Sequence, residues 1–104
     1  MKKYNKLVRD NIPELLDSKG ISYEKRIASI EEYKEELIKK LDEEINEFME
    51  SKSIEELADI IEVIEALKKL TEFSDVEEIR IKKLNEKGGF KKKIILKGEK
   101  NTNS

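Results

Sequence analysis

The chain has 104 residues, enough for one domain with one core and close to the size at which a second subunit completes that core. Charged side chains make up 44% of it, yet 22 Lys and Arg against 24 Asp and Glu leave a net charge of −2, which argues against a dedicated nucleic-acid binder. Cysteine and histidine are both absent, which excludes disulfides, thiolate metal sites and imidazole bases, so acid–base or metal chemistry falls to carboxylates assisted by Lys, Arg or Tyr.

The basic N-terminal residues lead into no long apolar run, and no stretch approaches the ~20 apolar residues that span a bilayer. A soluble cytoplasmic protein without a membrane partner is expected. In residues 1–12, Tyr4, Leu7, Val8 and Ile12 are apolar groups able to dock on a core. A short helix is predicted from Pro13 to Lys19, with proline at its start and Gly20 just past its end. Alternation of Ile21, Tyr23 and Ile27 reads as an extended connector or short strand.

Three longer helices follow, about Ile30 to Met49, Ile54 to Leu70 and Asp75 to Lys87. Each has an S-x-x-E capping box at its start: Ser29 with Glu32, Ser53 with Glu56, and Ser74 with Glu77. Gly88-Gly89 closes the third. Phe90 and Ile94-Ile95-Leu96 then suggest an extended segment packing on the body or on another subunit. The whole reads as an all-α helical bundle with short extended termini, a single domain over residues 1–97 and a frayed polar tail over 98–104.

At about 100° per residue, the first long helix has an apolar arc of Ile30, Tyr33, Leu37, Leu41, Ile45 and Phe48, and Glu44 falls inside it. Glu47 and Glu43 lie progressively nearer its polar edge. The second long helix is apolar around most of its circumference, as if buried between its own subunit and another. On it, Glu56 projects between Ile60 and Val63, and Asp59 lies near Val63, Ala66 and Leu70. The pairs Glu44/Glu47 and Glu56/Asp59 have i,i+3 spacing, so both carboxylates of a pair leave nearly the same face.

Glu56 has a structural role in its capping box, and Glu43 and Glu47 have Lys39 and Lys40 nearby for helical ion pairs. Against that stands the conjunction of two acid pairs on adjacent helices, turned toward apolar faces that no basic residue shares. Inward carboxylates are costly unless paired or bound to a metal, and a hard cation such as Mg²⁺ takes oxygen ligands. A divalent-metal site is therefore expected at Glu44, Glu47, Glu56 and Asp59.

The strings Lys40-Leu41-Asp42-Glu43-Glu44-Ile45-Asn46-Glu47-Phe48 and Glu55-Glu56-Leu57-Ala58-Asp59-Ile60-Ile61-Glu62-Val63 resemble the E-E-x-x-E … E-x-x-D signature of MazG-like nucleoside triphosphate pyrophosphohydrolases. These belong to the all-α NTP pyrophosphatase superfamily, with dimeric dUTPases and phosphoribosyl-ATP pyrophosphohydrolase. Tyr4-Asn5-Lys6-Leu7-Val8-Arg9-Asp10-Asn11-Ile12-Pro13 and Gly88-Gly89-Phe90 resemble the ends of small stand-alone proteins described as phosphoribosyl-ATP pyrophosphohydrolase-like. The two acid motifs are closer together than is usual for MazG. Lys87 stands where a relative often has Arg, and Asn11 where Lys is common.

This resemblance implies Mg²⁺-dependent cleavage, with Mn²⁺ as a substitute, between the α- and β-phosphates of (d)NTPs or related nucleotides. The products are a nucleoside monophosphate and pyrophosphate, and a house-cleaning role is implied. It assigns Glu44, Glu47, Glu56 and Asp59 as metal ligands, with Glu43 and Glu62 in outer or additional-metal roles. Water would be activated by a carboxylate, by the metal itself or by both, with Glu44 and Glu47 the candidate carboxylates. Lys83, Lys87, Lys6 and Arg9 are the candidates for phosphate binding; Tyr4, Tyr33 and Phe48 are able to face a base, but aromatic residues at these spacings are more often core. A homodimer or homotetramer is expected. The alternatives are the phosphoribosyl-ATP pyrophosphohydrolase of histidine biosynthesis and a non-catalytic, dimeric helical interaction module.

Overall fold

The structure is a computed structural model and describes residues 5–99. Every regular element among these residues is helical, so the protein is all-α: α1 (Ile12–Ser18), α2 (Ile30–Ser51), α3 (Ile54–Lys68), a 3-10 turn (Thr71–Phe73) and α4 (Val76–Lys87). The expectations for Tyr4 and for residues 100–104 of the tail fall outside the described residues. The chain divides into two compact units, Met1–Ser74 and Asp75–Ser104.

In the first unit, α1 begins one residue before Pro13 and ends where Gly20 takes a φ of 68°, a left-handed conformation that suits glycine. The backbone N–H groups of Lys19, Gly20 and Ile21 turn back onto the carbonyls of Leu16, Asp17 and Leu16. Residues 21–29 form a connector without regular structure, which resolves the strand alternative in favour of the connector. Near its end, Arg26 forks onto Glu32 at 2.7 and 2.6 Å, joining the connector to the first turn of α2.

Ser29 caps α2 as its sequence predicts, with its hydroxyl oxygen accepting from Glu32 N–H at 3.2 Å. Ser53 caps α3 in the same way, accepting from Glu56 N–H at 3.3 Å. Only Lys52 and Ser53 separate the two helices. Lys52 adopts the left-handed conformation (φ 53°) and donates its N–H to the Phe48 carbonyl at 2.7 Å, which closes α2. So short a link folds α3 back against α2 as a helical hairpin, and the pair forms the main packed contact of this unit. The interior is small. Leu37 on α2 and Val63 on α3 are the buried apolar side chains among the described residues.

The third capping box does not form. α3 ends at Lys68, Leu70 is extended (ψ 138°), and the 3-10 turn intervenes. Ser74 spends its hydroxyl on the Thr71 carbonyl at 3.0 Å, so the next helix starts at Val76 after Asp75, which makes no side-chain cap hydrogen bond.

In the second unit, α4 closes at Gly88, whose N–H donates to the Leu84 carbonyl at 2.8 Å while its φ is 80°. The residues beyond have no regular structure apart from a turn, and Phe90, Ile95 and Leu96 are almost fully exposed.

Candidate metal centre

The two-residue link sets the site. It brings the C-terminal half of α2 beside the first turns of α3, and three carboxylates converge there. One oxygen from each of Glu44, Glu56 and Asp59 lies within 4.8 Å of the others. Glu44 is buried, only 7% exposed, while Glu56 and Asp59 are half-buried. Glu44 lies seven residues after the buried Leu37, hence on the same helix face, which explains why it points inward.

Glu47 is one turn further along α2, exposed, and outside that group of three. Its charge still reaches the cluster. Burial, then repulsion from Glu47 and Asp59, pushes the Glu44 carboxyl up to about 7, against a smaller opposing pull from Lys40. Glu56 is raised too, by burial first and then by the neighbouring Glu47 carboxylate. Each of these two residues has one carboxylate oxygen, Oε2, that is buried with no hydrogen-bond partner. A polar atom so placed costs about 1–3 kcal/mol, more when charged. An all-oxygen donor set with two unsatisfied interior atoms fits a hard divalent cation of the Mg²⁺ or Mn²⁺ class.

The expectation that no basic residue shares these faces is corrected by the structure. Lys40 approaches both Glu44 and Glu43 at 3.8 Å, one turn before them on α2. The segment before α1 adds two more cations: Lys6 Nζ is 3.2 Å from Glu43, and Arg9 Nη2 is 2.7 Å from Asp59 Oδ1. Lys40 carries a visible signal, its i,i+4 spacing to Glu44. The Arg9 pair spans fifty positions and has none.

Of the other candidates, Glu43 is engaged by these lysines, and Glu62 is exposed on α3 outside the group of three. Lys83 and Lys87 are exposed on α4 in the second unit. Tyr33 and Phe48 are partly buried along the apolar arc of α2. Two concavities lie apart from the acids: one of about 570 Å³ along the turn from Asp17 to Lys25, the other of about 500 Å³ between Ile30, Lys34, Leu70 and Glu72. No helix among the described residues is long and apolar enough to cross a membrane. Comparison with family models, curated proteins and solved structures finds nothing that matches this chain.

Proposed function

We propose that the chain is a nucleotide pyrophosphohydrolase of the MazG-like, all-α NTP pyrophosphatase type, acting on (d)NTPs or related nucleotides to give a nucleoside monophosphate and pyrophosphate. The observation that carries this reading is the convergence of Glu44, Glu56 and Asp59 with two buried, unpartnered carboxylate oxygens. Glu44, Glu56 and Asp59 would hold Mg²⁺, or Mn²⁺ in its place, with Glu47 at the edge of the set. When bound, the ion supplies positive charge against the carboxylates and the polyphosphate, and it polarises water and the leaving group.

The chain's own residues have separable tasks. Glu47 is exposed beside the cluster and is the base we assign for taking a proton from water, since Glu44 is buried and disfavours charge. Lys6 and Arg9, on the segment that reaches the acids, are the phosphate-binding groups. Glu56 and Asp59, half-buried beside the enclosed Glu44, are the members of the set that a substrate would meet first.

A second copy of the chain belongs to this proposal. Ile54, Leu57, Ile61 and Ile64 recur at i, i+3, i+7 and i+10 on α3 and are 78%, 43%, 53% and 40% exposed. A stripe of this kind is suited to packing against its own counterpart in a homodimer.

Incubation with a panel of nucleotides and Mg²⁺ should release pyrophosphate, and Glu47→Gln or Asp59→Asn should reduce that release by at least about a hundredfold. Absence of turnover on every nucleotide, with Mg²⁺ or Mn²⁺, would leave the non-catalytic interaction module as the better reading.

A further inference from the structure

The carboxylate cluster has a competitor for a cation within its own chain. Arg9 Nη2 lies 2.7 Å from Asp59 Oδ1, and Lys6 Nζ lies 3.2 Å from Glu43 Oε1. The segment before α1 is thus pinned to the acidic face at two points. Asp59 is also one of the three carboxylates whose oxygens converge. Arg9 reaches only this outer member, and the interior Oε2 atoms of Glu44 and Glu56 remain without partners.

The Arg9 and Asp59 side chains are 56% and 41% exposed, so water screens the pair and its strength is modest. A divalent cation on the same three carboxylates would repel the guanidinium at close range. Its attraction to three carboxylates exceeds what one exposed ion pair offers. The guanidinium, once displaced, keeps a planar fork that suits phosphate oxygens as well as it suits a carboxylate.

Building on the cation-site reading above, we propose that the segment carrying Lys6 and Arg9 is a latch: Arg9 holds Asp59 until a divalent cation arrives, and is then released to bind a diphosphate or triphosphate. Two positive partners competing for one carboxylate weaken each other by the same factor. For an exposed ion pair that factor is about two- to fivefold. The cation and the polyphosphate would then be coupled through Arg9, because each favours the same unlatched arrangement.

The test is calorimetric titration of the folded, metal-free protein with Mn²⁺ alone, then with premixed Mn²⁺ and inorganic pyrophosphate. Arg9→Ala should bind Mn²⁺ about two- to fivefold more tightly than the wild type, yet bind the Mn²⁺–pyrophosphate mixture more weakly. Arg9→Gln, which retains most of the side chain's length, should shift both affinities in the same directions and serves if the alanine variant misfolds. Unchanged or weaker Mn²⁺ binding by both variants would overturn the latch while leaving the cation site standing. Tighter Mn²⁺ binding with undiminished pyrophosphate binding would overturn the transfer of Arg9 to phosphate. Absence of Mn²⁺ binding in wild type and variants alike would overturn the cation site, and the latch with it.

Discussion

Burial lifts the Glu44 carboxyl to about 7, with Glu47 and Asp59 pushing the same way, and this fixes the sign of its effect on stability. An ordinary glutamate in the unfolded chain ionises near pH 4.3. Below that value both states are protonated and the Glu44 contribution is fully present. As pH rises toward about 7 the unfolded chain releases its proton first, and the contribution is lost. Glu56 is shifted in the same direction. Glu32, held down by Arg26, works oppositely, and its contribution is lost as pH falls through its lowered value. The melting temperature of the metal-free protein should therefore carry a component that declines between pH 5 and 7.5. Glu44→Gln should flatten that decline and stabilise the metal-free protein at pH 7.5 by about 1 kcal/mol, as followed by circular dichroism in chelator. Wild-type stabilisation by Mg²⁺ should be larger at pH 8 than at pH 5.5, because the ion needs the deprotonated acid.

The elements themselves were largely written in the chain, and the exceptions have physical causes. Ser29 and Ser53 satisfy first-turn N–H groups as their spacing to Glu32 and Glu56 predicts. Ser74 has the same spacing to Glu77, but the turn at Thr71–Phe73 claims its hydroxyl, and that local preference outweighs the motif. Ser29→Ala and Ser53→Ala should each cost about 1 kcal/mol in urea unfolding, and Ser74→Ala less than about 0.5 kcal/mol. Comparable losses for all three would contradict the difference in capping. The inward turn of Glu44 was legible because helical periodicity ties it to Leu37 and Leu41. The convergence of Glu56 and Asp59 on it needed the two-residue link as well; Ser53 marked one end of that link in the sequence, but the left-handed turn at Lys52 that closes α2 two residues beyond Met49 carried no signal. Contacts made by Arg9 and Lys6 were not legible, because no local periodicity relates the start of the chain to α2 and α3.

For the molecule in solution, the apolar stripe on α3 bears on assembly. So little apolar surface is buried in the first unit, with Leu37 and Val63 its enclosed aliphatics among the described residues, that a matching surface from another copy would add substantially to the core. Sedimentation equilibrium should give about twice the chain mass, and Ile61→Lys should shift the protein to monomer and remove the concentration dependence of its melting temperature. An unchanged mass for the variant would place the dimer interface elsewhere. The link at Lys52 and Ser53 reaches further than its size suggests. Ser51 Oγ donates to Ser53 Oγ and accepts from Ser53 N–H, both at 3.2 Å, so these few atoms act as a spacer of fixed length. Surface loops elsewhere tolerate added or lost residues, but here Glu44, Glu56 and Asp59 all sit within about two helical turns of the spacer. A change of one residue would alter how the two rods are phased before distance could absorb it, so the length of this inconspicuous turn is constrained as tightly as the acids it aligns.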